Sequence, residues 1–410
     1  MNPMLSLDEA LARLVQGARA QPARAAETAP TFDALGRVLA ADVVSLLDVP
    51  PADNSSMDGY ALRSADVAEA GSWLPVSQRV PAGVVGRPLQ PGTAARIFTG
   101  AQLPAGADTV VMQEQCQAEA GGPSDGFGRV RIDKLPIPGQ WVRRQGEDVA
   151  EGAIVLRAGT RLTPQALGLA ASVGAATLTV APRPRVALFS TGDELVMPGE
   201  ALPPGAIYNS NRFTLRALLQ ACGCEVRDLG IVPDRLDATR EALRQAAAGS
   251  DLVLTSGGVS VGEEDHLRPA VMAEGELELW KIAIKPGKPL AFGRVGQALF
   301  LGLPGNPVSS FVTFVLAVAP VLRVLQGADP ALPRTLALRA DFDWPQPDRR
   351  REFLRVRLNG QGGLELFPNQ SSGVLTSTVW ADGLVDNPPS RAIRRGDLVG
   401  FLPMDTLIAQ

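Results

Sequence analysis

Apolar residues at Leu7, Ala10, Leu11, Leu14 and Val15 recur at helical spacing behind a Ser6-x-x-Glu9 capping box, so the chain opens with a helix over 6–19. A second helix is expected over 31–40, ahead of a strand-like run through Val43 and Val44. From Val49 the pattern breaks into short β-like runs separated by turn residues, among them Pro81-Ala-Gly83, Pro91-Gly92 and Pro104-Ala-Gly106. This describes a compact all-β module reaching about 138. Helical spacing returns from Thr163 to about Val173, so the module reads as an insertion between two helical parts. Beyond Pro182, buried strands alternate with amphipathic helices: strand 185–190, helix 211–222, strand 226–232, helix 234–248, strand 251–255, helix 265–274, strands near 279–284 and 298–303, and helix 307–325. That rhythm predicts an α/β fold with a mainly parallel sheet and right-handed crossovers. After Pro330 the pattern is β-rich again, over 335–342, 353–358, 363–367 and 397–402, which suggests a small terminal barrel or sandwich.

At 410 residues the chain exceeds one core. The pattern divides it into a helical, elongated domain I (1–48 and 139–180), an inserted β-rich domain II (49–138), an α/β domain III (181–327) and a C-terminal β-barrel-like domain IV (328–410). The longest apolar stretch, Val308 to Leu325, contains Ser309, Ser310, Pro320 and Arg323 and reads as a buried helix rather than a membrane span. The N-terminus has no basic region followed by an apolar run, so the expected location is cytoplasmic.

Net charge of −4 gives no general attraction to nucleic acid, so any anion must be held by a local cluster. Of 39 basic residues only four are lysine, at 134, 281, 285 and 288. Three of those four fall in Trp280-Lys281-Ile-Ala-Ile-Lys285-Pro286-Gly287-Lys288-Pro289. Lysine differs from arginine in offering a compact, mobile ammonium. If the run is extended, Lys281 and Lys285 share a face about 13 Å apart at about 3.3 Å per residue, and Pro286-Gly287 turns the chain to present Lys288. An anion site and a solubilised sheet edge both fit these residues. Three cysteines, Cys116, Cys222 and Cys224, are too irregular for a disulfide framework. One histidine, His266, cannot build a His-ligated metal centre, so any metal should be a hard cation on oxygen ligands, most simply Mg²⁺.

Ligands of open parallel sheets bind at the carboxyl ends of the strands. Three further loops expected there carry unusual chemistry: Ser190-Thr191-Gly192-Asp193-Glu194, then Ser256-Gly257-Gly258-Val-Ser260-Val-Gly262 with Asp265, and Leu303-Pro304-Gly305-Asn306-Pro307. Glycines let backbone N–H groups approach a phosphate, though tight packing turns look the same in sequence. No Walker A or G-x-G-x-x-G motif follows the first strand. Acids beside a phosphate call for a bridging cation, which makes Glu194, Asp234 and Asp265 candidate Mg²⁺ or oxyanion-pocket residues. Asp234, behind Pro233, is equally a helix N-cap, and Glu194 an ordinary first-turn acid. The β-module adds Asp58 in Met57-Asp58-Gly59-Tyr60, and Thr99 in Arg96-Ile-Phe-Thr99-Gly100, which turn chemistry also explains.

Together these motifs resemble the molybdopterin molybdenumtransferase family, that is MoeA and the gephyrin E domain. The resemblance rests on Asn54-Ser-Ser-Met57-Asp58-Gly59-Tyr60, Arg96-Ile-Phe-Thr99-Gly100, Gly146-Glu147-Asp148, Ser190-Thr-Gly-Asp-Glu194, Ser256-Gly-Gly-Val-Ser-Val-Gly262, Ile284-Lys285-Pro-Gly-Lys288, Leu303-Pro-Gly-Asn-Pro307 and Ser371-Ser-Gly-Val-Leu-Thr-Ser377, in family order across nearly the whole chain. It implies a homodimer of four-domain subunits with a molybdopterin-binding, Rossmann-like α/β domain. The implied reaction inserts molybdenum from molybdate into adenylylated molybdopterin and releases AMP, with Mg²⁺ as cofactor and the adenylylating protein as a partner. By the same resemblance the cleft lies between the α/β domain of one subunit and the β-module of the other. Glu194, Asp234 and Asp265 are then metal or molybdate-region residues, and Lys281, Lys285 and Lys288 are anion binders. Ser190, Thr191, Gly192, Ser256, Gly257, Gly258 and Ser260 form the substrate loops. Asp58, Thr99 and Asp148 are cleft residues from the other modules, and Pro304 and Pro307 shape the molybdate-side loop. Trp141 departs from the pattern, standing where a small polar residue is expected. A pyrophosphate hydrolase sharing only the α/β domain, and a scaffold whose terminal module binds partners, are the competing readings.

Overall fold

The computed structural model describes residues 4–121, 126–258, 266–330 and 332–408. The first helix, α1 (Leu7–Arg19), starts at a complete capping box, with Ser6 and Glu9 each bonding the other's backbone N–H. Its buried face, Leu7, Ala10, Leu14 and Ala18, does not serve an N-terminal helical unit as the sequence suggested. It joins the core of the α/β sheet. Segments 1–48 and 139–180 instead meet in two small antiparallel ladders, Glu27–Pro30 with Thr177–Val180 and Val43–Val44 with Ile154–Leu156. Helix α2 (Pro164–Ser172) packs there beside Leu39, Leu162 and Val180. The helix expected over 31–40 is absent: a 3-10 turn covers Thr31–Asp33, Gly36 takes φ +72°, and Val38 and Leu39 form bridges to Arg161 and Val180. A left-handed glycine and extended pairing cannot continue a helix. The inserted module is a six-stranded, mostly antiparallel sheet built from residues between 59 and 132.

The α/β domain holds strands β1 (Arg185–Thr191), β2 (Glu225–Val232), β3 (Leu252–Ser256), β4 (Gly275–Lys281), β5 (Pro289–Val295) and β6 (Ala298–Leu303) in the order β2-β1-β3-β6-β5-β4. The first four of that order run parallel, while β5 and β4 form an antiparallel meander at one edge. Helices α3 (Ser210–Ala221), α4 (Leu236–Ala247), α5 (Leu267–Glu274), α6 (Pro307–Thr313) and α7 (Ala319–Leu325) cover it. Val186 and Leu188 of β1 pack in the cluster that contains α1, α3 and α7 residues, and Ala187 and Phe189 in the one with α4 and α5 residues. Burial of both faces explains the unbroken apolar runs. The stretch 307–325 is buried in this core, its two helices joined by a π turn over Phe314–Val318.

The C-terminal sheet includes β7 (Leu336–Arg339), β8 (Arg351–Leu358), β9 (Gly383–Asn387) and β10 (Leu398–Pro403). The lysine stretch is not one extended run. β4 ends at Lys281, opposite Pro289, and the chain leaves the sheet to pair Ile284 and Lys285 in parallel with Arg351 and Glu352 of β8. Lys281 and Lys285 therefore sit on different sheets.

Candidate functional site

A cleft of about 920 Å³ opens at the carboxyl ends of β1, β3 and β6, closed on the far side by residues of the C-terminal domain. Of the residues singled out in the sequence, Thr191, Glu194, Ser256, Gly257, Gly258, Lys285, Lys288, Pro304 and Pro307 line it. Gly192 lies just behind: at φ +144° it needs glycine, and a Cβ there would stand 2.5 Å from Glu194 Oε2. The absence of that side chain lets the Glu194 carboxylate fold back over the turn. Ser190 is fully buried, its Oγ without a partner.

Lys285 reaches the cleft from a charge-balanced cluster that it forms with residues of the C-terminal domain. Its Nζ is 3.3 Å from Glu352 Oε1 and 3.6 Å from Asp348 Oδ2, and 6.0 Å from the Trp344 ring centroid. Arg350, also in the lining, grips Asp348 through Nε and Nη2 at 3.0 and 2.9 Å. That two-pronged bond holds the Asp348 carboxyl well below the usual carboxylate range. Lys288 is exposed on the same wall, and Gln370 to Gly373 complete it.

Other expected residues lie elsewhere. Lys281 is exposed at the end of β4 and is not in the lining. Asp234 is half-buried outside the lining, its N–H donating to Asp193 Oδ1 at 3.1 Å, and the N-cap position of α4 falls to Arg235. Ser260 and Asp265 lie outside the described residues. Asp58 and Thr99 do come together in the β-module: the Thr99 N–H and hydroxyl both donate to Asp58 Oδ1 at 2.8 Å, which keeps the Asp58 carboxyl below its usual range. Asp148 is exposed at the root of that module, its N–H bonded to the Val49 carbonyl. Trp141 stands in the left-handed region at φ 57° and accepts from Ser56 through its carbonyl.

Sequence reasoning missed Asn209, Asn211, Ser309 and Arg350, all in the lining, and gave Ser371 to Gly373 no site role. The Asn211 side chain donates to the Gly305 carbonyl at 2.7 Å, tying α3 to the Pro304–Pro307 loop. Among the described residues no three His, Cys, Asp or Glu side chains gather as a metal site, and Glu194 is the one acid in the cleft lining. The described residues therefore do not by themselves fit Mg²⁺. The cysteines are free, and burial pushes the Cys222 thiol up to about 11, which leaves it protonated and unreactive.

An α/β domain with glycine turns at its strand ends, facing lysine and arginine across an open cleft, is an arrangement suited to small anionic ligands. Three comparisons make this particular. Residues 5–174 match the family described as MoeA N-terminal region (domain I and II), residues 187–324 the probable molybdopterin binding domain, and residues 337–404 the MoeA C-terminal region (domain IV). The chain is 43% identical over 79% of its length to a molybdopterin molybdenumtransferase from Haemophilus influenzae, covering 78% of that protein. It is 39% identical over 88% of its length to molybdopterin molybdenumtransferase 2 from Mycobacterium tuberculosis, covering 90% of it. The crystal structure of a molybdopterin biosynthesis moeA protein from Pyrococcus horikoshii OT3 superposes with a TM-score of 0.82 at 30% identity, over 97% of this chain and 99% of that one. The chain belongs to the molybdopterin molybdenumtransferase family.

Proposed function

We propose that this chain acts in molybdenum cofactor biosynthesis, inserting molybdenum from molybdate into adenylylated molybdopterin and releasing AMP. The observation that carries the reading is the two-sided cleft, with Lys285, Lys288 and Arg350 on one wall and Glu194 with the Gly257-Gly258 turn on the other. The cations hold molybdate and the pterin phosphate; the glycine turn lets backbone N–H groups approach the phosphoanhydride. The dithiolene sulfurs that receive the metal belong to the substrate, so no cysteine of the chain is needed. Mg²⁺ is expected with such a substrate, and Glu194 is the one described acid in the lining that could contribute to holding it.

Asp58, Thr99 and Asp148 are absent from the lining, which suits a homodimer in which the β-module of one subunit completes the cleft of the other. The work is assigned to the cytoplasm, with the adenylylating protein supplying the substrate. The test is AMP release from adenylylated molybdopterin with and without molybdate. Molybdate-dependent release is expected; hydrolysis indifferent to molybdate, or no turnover, overturns the reading.

A further inference from the structure

Arg355 lies on β8 with 1% of its surface exposed. A buried charge is normally matched by an opposite one, as Glu352 on the same strand is by Lys285 at 3.3 Å. Among the described residues Arg355 has no such partner, and its guanidinium bonds three neutral oxygens. Nε donates to Ser377 Oγ at 3.2 Å, Nη1 to the Phe353 carbonyl at 3.2 Å and Nη2 to the Ser371 carbonyl at 3.3 Å. Burial pushes its pKa down to about 10, still well above neutral, so the group keeps its charge. A buried cation without a counter-charge is costly, and an apolar side chain of similar bulk would fill the space without that cost.

The bonds of Arg355 lead to the cleft wall. Ser371 and Ser377 are the two ends of the Ser371-Ser-Gly-Val-Leu-Thr-Ser377 run, and one guanidinium holds both. The Gln370 side chain is fixed by the backbone of the same residue, accepting from the Arg355 N–H at 2.9 Å and donating to its carbonyl at 3.0 Å. Gln370 to Gly373 line the cleft, and the Ser372 carbonyl accepts from the Val308 N–H of α6 at 3.0 Å. The charge therefore stands one hydrogen bond behind the lining. Lys285 and Arg350 are paired with Glu352 and Asp348, which leaves Lys288 and Arg355 as the cations at this wall with no described carboxylate against them.

We propose that Arg355 is a positioning residue of the cleft, clamping both ends of the 371–377 run into the wall while its own charge is countered by the phosphate of the bound ligand. The inference rests on the reading that the cleft takes a phosphorylated ligand. The experiment is calorimetric binding at about pH 7.5 of AMP, whose phosphate is then mostly dianionic, and of its methyl ester, a monoanion. The proteins are the full chain, Arg355→Gln, Arg355→Met, Arg355→Lys and, as a control in the same cleft, Lys288→Ala. Coulombic attraction scales with ligand charge, so either neutral variant should raise the Kd of AMP about 10-fold and that of the ester about 3-fold. Arg355→Lys, which keeps the charge without the planar fork, should bind both close to the parent. Equal losses for the two ligands, or Arg355→Lys as weak as the neutral variants, would mean a support for the loop alone and overturn the proposal. So would failure of both neutral variants to fold, which assigns the charge to folding. If the parent binds AMP, Lys288→Ala weakens it and the Arg355 variants bind as the parent does, the proposal is refuted while the cleft reading stands. If the parent itself binds no AMP, both fall.

Discussion

Replacing Lys285 tests how the cleft is built as well as what it binds. The ammonium sits 3.3 Å from the fully buried carboxylate of Glu352, which also accepts from Trp344 Nε1 at 2.8 Å. Lys285→Ala therefore removes the cation from a carboxylate that cannot reach water. Breaking a fully buried pair costs about 3–5 kcal/mol, and a bond to a charged group contributes about 1.5–3 kcal/mol. Lys285 keeps 38% of its side chain exposed to the cleft, so solvent screens the pair. The discounted cost is about 1–2 kcal/mol. At about 4–8 °C per kcal/mol for a domain of 60–100 residues, the transition that melts the C-terminal sheet should fall by roughly 4–16 °C. Glu352→Gln keeps an acceptor for Trp344 while removing the stranded charge, so the double variant should recover most of the loss. Calorimetry of the two single variants and the double variant closes the cycle. A Lys285→Ala melt superimposable on the parent, or no recovery in the double variant, would refute the reasoning.

Because Lys285 is entangled with stability, Lys288 is the cleaner probe of anion binding: Lys288→Ala should weaken AMP binding about 10-fold with an unchanged melt, whereas Lys281→Ala, outside the cleft, should leave binding as it was. Glu194→Gln should depress turnover more than substrate binding, and parental steady-state rates would remove that residue from the site. Gly192→Ala should resemble it, since the new Cβ would displace the Glu194 carboxylate; normal turnover there would sink the link between the two. Asp348 titrates below its unfolded value, so its contribution to stability is full above about pH 4 and drains away as pH falls further. Melting temperatures taken from pH 6 to pH 2 should show that decline for the C-terminal sheet, and Asp348→Asn should flatten it.

The α/β rhythm was legible because strands buried on both faces leave continuous apolar runs, as in Val186 to Phe189. The amphipathic face of α1 was equally plain, but a hydrophobic stripe does not name its partner, and α1 packs on the α/β core rather than beside the ladders of 27–30 and 177–180. The lysine stretch announced itself through rarity, yet periodicity alone could not show that the strand stops at Lys281 and that Lys285 pairs with Glu352. Arg350 was hidden for the opposite reason: among 35 arginines, the remainder of 39 basic residues less four lysines, one more carries no signal. Only the approach of the C-terminal domain brings it to the cleft wall.

The Ile284–Lys285 segment leaves one sheet and is hydrogen-bonded into another. Any tilt of the C-terminal domain must drag this ammonium along, widening or narrowing its separation from Glu194 on the stationary wall. An agent that tilted that domain would therefore change how tightly the cleft holds an anion, and by linkage the anion would bias the tilt.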